Sequence, residues 1–210
     1  MKKLNKALQS KIDSKFKVPF KTRLSENQVS DISFELQTVL DVLIPGWDMD
    51  PSTEETHRRF AKYLAEFCQP IDIDSIFKTF DIVNGYHSMV IQTNIPFRMC
   101  CEHHLLPAVG RASLGYVPNE KVIGLSKLCR LVDAVGVERP SLQEKIADRV
   151  VALLDLHLKP KGVMLVIKAE HGCMACRGVT KPNVPTITSN VHGIFRDVVS
   201  ARQEFLSLIQ

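Results

Sequence analysis

Apolar residues recur at helical spacing through the first third of the chain and at strand-like spacing after it. In "SENQVSDISFELQTVLDVL" (residues 25–43), Val29, Ile32, Leu36, Val39 and Leu40 line one helix face. "PSTEETHRRFAKYLAEF" (51–67) spaces Phe60, Leu64 and Phe67 the same way, behind a capping-box signature of Ser52 and Glu55. The intervening "PGWDMDP" reads as a loop. After residue 80 the texture changes. "YHSMVIQTNIPF", "LPAVGRASLGYVP" and "KGVMLVIKAE" are short, β-rich and bounded by Gly or Pro, so each predicts a strand. Two helices separate the second from the third. "GLSKLCRLVDAV" turns Leu125, Leu128, Leu131, Val132 and Val135 inward. "SLQEKIADRVVALLDLHL" buries Leu142, Ile146, Val150 and Leu153 behind a second capping box, Ser141 and Glu144. A fourth strand at "VPTITSN" and a helix "IFRDVVSARQEFLSLI" follow. The expected order is two helices, then ββααββ, then a helix, an α+β chain with a helical N-terminal arm.

Composition narrows this only a little. With 210 residues, 45% hydrophobic and 24% charged, the chain suits one globular domain with an extension. No apolar run approaches a membrane span, and the first residues lack the apolar core of a signal peptide. Six cysteines in no recognisable disulfide framework fit a reducing compartment, so a cytoplasmic location and no membrane partner are expected. Charge changes the picture more. Residues 1–23 hold eight basic side chains and one acidic, whereas the rest hold 19 basic and 22 acidic. A basic arm could suit nucleic acid, but Phe16 and Phe20 are its only aromatics and the body behind it is slightly acidic. It is therefore read as a solvated extension with no nucleic-acid partner. The expected segments are a basic extension at 1–24, a helical arm at 25–70 and a sheet-containing domain at 80–210.

Candidate chemistry concentrates in "CCEHHLLP" (100–107) and "HGCMAC" (171–176). Cys101 and His104 stand at a spacing that lets both reach one ion from a single turn, and Cys173, 72 residues on, could supply a third ligand. Thiolate and imidazole suit zinc, and three protein ligands leave a position open for a reactive water. Two other readings stand beside this one. The first is a closed structural site of Cys100, Cys101, Cys173 and Cys176; the second is buried free thiols with no metal. Spacing does not choose among the three. His103 and His171, left over beside the same cluster, favour the catalytic reading, since neutral imidazoles there could move protons near neutral pH.

Around these lie residue types that bind anions. Ser126, Lys127 and Arg130 share a helix face that begins at Gly124, where the first backbone N–H groups are open to an anion. Arg177 and Lys181 follow Cys173. Alone, each is a solvated basic residue; beside a metal site, together they suit a polyphosphate. Glu144 could be no more than a capping residue.

"IPFRMCCEHHLLPAVGRASLGYVPNEKVIGLSKLCRLV", "RPSLQEKIADRV", "GVMLVIKAEHGCMACRGV", "TITSNVHGIFR" and "EFLSLI" closely resemble GTP cyclohydrolase I, in order from about residue 25 to the end. The resemblance implies the tunnelling fold, a ββααββ antiparallel sheet with helices on one face, whose sheets join between neighbouring subunits into a barrel. It implies a homodecamer with active sites at subunit interfaces. The implied reaction converts GTP and water to 7,8-dihydroneopterin triphosphate and formate, the first step of pterin and folate-type biosynthesis. Carried over residue by residue, Cys101, His104 and Cys173 would hold Zn2+, and His103 and His171 would move protons. Ser126 would be a catalytic residue beside the ribose and triphosphate, and Lys127, Arg130, Arg177 and Arg59 would bind the triphosphate. Glu144, backed by Gln143, would accept hydrogen bonds from the guanine edge.

The chain departs from the family pattern at Met99, Cys100, Ser113, His57, His87 and Ser88, none of which is an assigned site residue. Rival functions are a zinc-stabilised purine-binding module without catalysis and a tunnelling-fold enzyme acting on a deazaguanine. The intact histidines and Glu144 argue against the first. The cluster of phosphate-directed cations argues against the second.

Overall fold

The computed structural model describes residues 23–82 and 88–210. The basic extension through residue 22, and Tyr86 and His87 at the head of the first predicted strand, lie outside the described residues. Helix α1 (Glu26–Leu43) opens with a reciprocal capping box, Gln28 N–H donating to Ser25 Oγ and Ser25 N–H to Gln28 Oε1. The box expected at Ser52 and Glu55 does not form. Helix α2 (Thr56–Glu66) starts one residue after Glu55, whose carboxylate pairs with Arg58 at 2.9 Å, while Ser52 N–H donates to Asp50 Oδ1. The loop between the helices carries one 3-10 turn, Trp47–Met49, that buries Trp47. Its indole Nε1 donates to Asp41 Oδ1 at 2.9 Å and its ring meets His57 edge-on, so this residue fastens α1 to α2. Val39 and Phe60, expected inward, are exposed because α1 packs chiefly on α2 along one seam.

A single turn, α3 (Ile73–Ile76), leads to β1 (Thr79–Asp81), which pairs antiparallel with β4 (Lys121–Ile123). Three residues are too few to show an alternation, and this small sheet was not expected. The main sheet has the order β2-β3-β5-β6, antiparallel throughout: β2 (Val90–Cys100), β3 (Pro107–Val117), β5 (Gly162–His171) and β6 (Thr186–Gly193). Between Gln92 and Ile95, β2 bulges, with Asn94 at φ 55. The extra residue shifts the pleat by one position, so that Ile95, Phe97 and Met99 face the core beyond it.

Helices α4 (Leu125–Gly136) and α5 (Gln143–Leu158) cover one face of this sheet, α4 over β2 and α5 over β5 and β6. The core between them holds Leu128, Leu131, Val132, Ile146, Val150 and Leu153 against Phe97, Leu114 and Leu165. A Cβ on Gly136 would stand 2.4 Å from Arg98 O, so glycine lets the end of α4 lie on the β2 backbone. Leu125, expected inward, is exposed; it lies one turn before Leu128, the first of these side chains to reach the core. The second expected capping box also fails. Leu142 is the N-cap of α5 without a side-chain bond, and Ser141 is held by its backbone, donating to Cys100 O and accepting from Glu102 N–H. Glu144 therefore caps nothing.

After β5 comes a single turn, α6 (Gly172–Ala175). The helix expected at the end of the chain is broken at Val198 into α7 (Ile194–Asp197) and α8 (Val199–Leu208). These seat Phe195 and Phe205 on the opposite face of the sheet, over Met164 and Val117. The sequence α+β, ββααββ with α4 and α5 on one face, is thus the architecture expected. Among the described residues no helix is long and apolar enough to cross a membrane.

Candidate metal centre and active site

Two chain segments meet at one end of the sheet because β3 pairs on one side with β2 and on the other with β5. Cys100 faces Pro107 and His171 faces Ala108, which brings the ends of β2 and β5 to the same edge. Cys101 then leads a tight turn closed by Leu105 N–H to Cys101 O and Cys101 N–H to Leu106 O, both 2.9 Å. Leu105 sits at φ 53, a conformation an L side chain rarely adopts. Tyr63 of α2 steadies it, its hydroxyl donating to Leu105 O at 3.1 Å. Burial, with Cys100 beside it, pushes the Tyr63 phenol up to about 12, so it stays a donor.

Cys101 Sγ lies 3.9 Å from His104 Nδ1 and 4.0 Å from Cys173 Sγ, and all three ligand atoms fall within 4.8 Å of one another. Among the described residues this is the one group of three or more such side chains able to hold an ion. Cys101 is buried, Cys173 half-buried and His104 exposed, so the group opens toward solvent on one side. Burial first, then the neighbouring Cys101, raises the Cys173 thiol, while Arg177 pulls it down. The four-cysteine alternative is not built. Cys100 is buried with Phe67 and Val137, its thiol pushed up to about 11 mainly by burial. Cys176 is exposed, its thiol donating to Gly172 O.

His171 ends β5 beside this group, with Nε2 2.8 Å from Gln143 Oε1. Burial holds its ring below the usual histidine range and Glu144 acts in the opposite sense. Glu144 itself is exposed in the first turn of α5. His103 is exposed and edge-on to His104. Glu102, between Cys101 and His103, accepts from Lys145 Nζ at 2.7 Å, tying the cysteine–histidine turn to α5. The sequence pointed to neither Tyr63 nor Lys145. Their only signal was a polar tip on an otherwise apolar helix face for Tyr63, and adjacency to Glu144 for Lys145.

The remaining candidates are elsewhere. Cys129 of α4 donates to Gln92 Oε1 on β2, and Gly136 lies on Arg98, so α4 runs along β2 toward the cysteine end. Ser126, Lys127 and Arg130 belong to the start of that helix. Counted along α4 at about 1.5 Å per residue, Arg130 lies roughly 9 Å and Ser126 roughly 15 Å back from Gly136, further from the cysteine end of β2. Lys127 Nζ donates to Ser75 O at 2.6 Å, while Ser126 and Arg130 are exposed. Arg59 is exposed on α2 with one guanidinium N–H on Ser52 O. Arg177 is exposed just past α6. One chain thus unites Cys101, His104, Cys173, His171, Gln143 and Glu144, and carries Ser126, Lys127 and Arg130 on the stretch of α4 that runs away from them.

The family model for GTP cyclohydrolase I matches residues 37–210. A GTP cyclohydrolase 1 from Aquifex aeolicus is 38% identical over 179 residues, covering 84% of this chain and 96% of that protein. The Brevibacillus brevis protein of the same name is 41% identical over 182 residues, again 84% and 96%. That from Geobacillus kaustophilus is 38% identical over 192 residues, 89% of this chain and 100% of the relative.

Proposed function

The chain belongs to the GTP cyclohydrolase I family, and on that premise we propose that it converts GTP and water to 7,8-dihydroneopterin triphosphate and formate, with zinc held by Cys101, His104 and Cys173. The observation that carries this reading is the convergence of those three ligand atoms within 4.8 Å beside His171 and Glu144. Two thiols and an imidazole are a donor set that zinc prefers, and a divalent cation is what allows two thiols 4.0 Å apart to ionise together. Bound there, zinc would supply a Lewis acid that brings the pKa of water toward neutrality.

The chain's own residues do the rest. Glu144, free of any capping duty and exposed at the start of α5, accepts hydrogen bonds from the donor-bearing edge of guanine. His171, kept neutral by burial, and His103 carry protons to and from the opening imidazole ring and the departing formyl group. Arg177 offers a guanidinium to the triphosphate from beside Cys173. Ser126, Lys127, Arg130 and Arg59 complete the ribose and triphosphate site, but from another copy of the chain. Support for this is their separation along α4, with the exposed Val39, Val42 and Leu43 sharing a face of α1 as a surface for association. A homodecamer with interfacial sites accommodates both. The six free cysteines suit a cytoplasmic enzyme.

The deciding experiment incubates purified protein with GTP, with and without a zinc chelator, and assays formate and pterin together. Chelator-sensitive formation of both is expected. Formate alone would mean ring opening that stalls before the ribose rearrangement. Neither product from folded, zinc-loaded protein would leave a purine-binding module in its place.

A further inference from the structure

Gln143 is the most enclosed polar side chain of the site, 1% exposed at the first position of α5. Its Nε2 lies 3.2 Å from Ile167 O, 3.2 Å from Thr186 O and 3.0 Å from Thr188 Oγ1. Two of these are backbone carbonyls, which only accept. Turning the amide over would bring Oε1 against two other lone-pair oxygens in a buried setting and leave those acceptors without a donor. Oε1 therefore faces the other way, onto His171 Nε2 at 2.8 Å. An amide oxygen cannot donate, so the hydrogen between them belongs to His171. A neutral ring that carries hydrogen on Nε2 has its lone pair at Nδ1.

We infer that Gln143 is a positioning residue that locks the ring orientation of His171 and its Nε2–H tautomer, which leaves Nδ1 as the ring nitrogen that can meet substrate. The inference rests on the proton-carrying role proposed for His171. The lock is made by docking α5 on the sheet. Its acceptors come from β5 and β6, where Ile167 faces Thr188 and Ala169 faces Thr186, and its target is the last residue of β5. Both amide hydrogens are committed to these strands. Gln143 thus serves the histidine, where the family resemblance had placed it behind Glu144 on the guanine.

The test uses the full-length, zinc-loaded protein labelled with 15N-histidine, with His171 assigned through a His171→Asn variant. At a pH where the ring is neutral, wild-type His171 should show a protonated Nε2 and a bare Nδ1, and Gln143→Met should lose that preference. In parallel, Gln143→Met should lower kcat by about 10–100-fold with KM for GTP and zinc content nearly unchanged. Thr188→Val, which removes one acceptor, should give the same pattern more weakly. A wild-type ring protonated on Nδ1 would overturn the inference. So would a Gln143→Met enzyme whose KM rises while kcat holds, since that marks a substrate contact. If wild-type protein turns over no GTP, the proposed function fails, while the nitrogen spectra still decide the tautomer.

Discussion

Cys100 and Cys101 are adjacent thiols with opposite fates, separated by one step of strand alternation. The last residue of β2 points into the core beside Phe67 and Val137, and the next turns out to the ligand group. Burial leaves the first a neutral thiol with a pKa of about 11, which suits neither ligation nor oxidation. Cys100→Ala is therefore expected to keep its zinc and a kcat within about twofold of wild type, losing on the order of 1 kcal/mol of stability to a small cavity. Cys101→Ala should lose both metal and turnover. Metal analysis by mass spectrometry beside a formate assay separates the two, and zinc loss in the Cys100 variant would return that residue to the ligand set.

Helix α5 does different work at its two ends. The first turn carries Gln143, Glu144 and Lys145 to the site, while His157 in the last turn stacks on Phe77 at 4.4 Å. Burial lowers the His157 pKa, with Asp74 opposing. The unfolded chain therefore takes up this proton first as pH falls. Stability from His157 is full above its unfolded value near 6.5 and declines as pH drops through the lower folded value. His157→Phe keeps a stacked ring without the titration, so its urea midpoint should fall less than that of wild type between pH 7.5 and 5.5. Midway along α5, Arg149 makes a two-pronged pair with Glu138 at 2.7 and 2.9 Å, both side chains buried. Arg149→Met strands the Glu138 carboxylate and should cost about 3–5 kcal/mol in urea denaturation, with Glu138→Gln in the same chain recovering much of it.

At the scale of the whole molecule, the sheet is long enough to part the two halves of the proposed site. Cys101 lies beyond one end of β2, and Ser126 stands near the other. No rotamer change in a chain this closely packed spans that distance. A Cys101→Ala chain and a Lys127→Ala, Arg130→Ala chain should each be inactive alone. Co-expressed in equal amounts, they should recover about a quarter of wild-type turnover, the fraction of interfaces that pair two intact halves in a random oligomer. No recovery would place a complete site within each chain.

Much of this was legible in the order of the residues. The alternating runs marked the four long strands, the apolar periodicity marked the helices between them, and Cys101, His104 and Cys173 stood out by type and spacing. These are properties of side-chain chemistry and backbone period, which a sequence carries directly. The fates of Ser52, Ser141 and Glu144 were not legible. A capping signature states only that a bond can form, and Ser141 forms its bonds instead with the backbone of Cys100 and Glu102, which lie 39 and more residues away. The short pair β1 and β4 carries too few residues to show a period, and the bulge at Asn94 inverts one midway along β2. Composition and period determined the elements and the candidate ligands, with three readings of those ligands left open. Only docking across the sheet decided which cysteine packs in the core, which amide holds His171, and that Lys127 lies apart from Cys101, because each depends on what a distant strand presents.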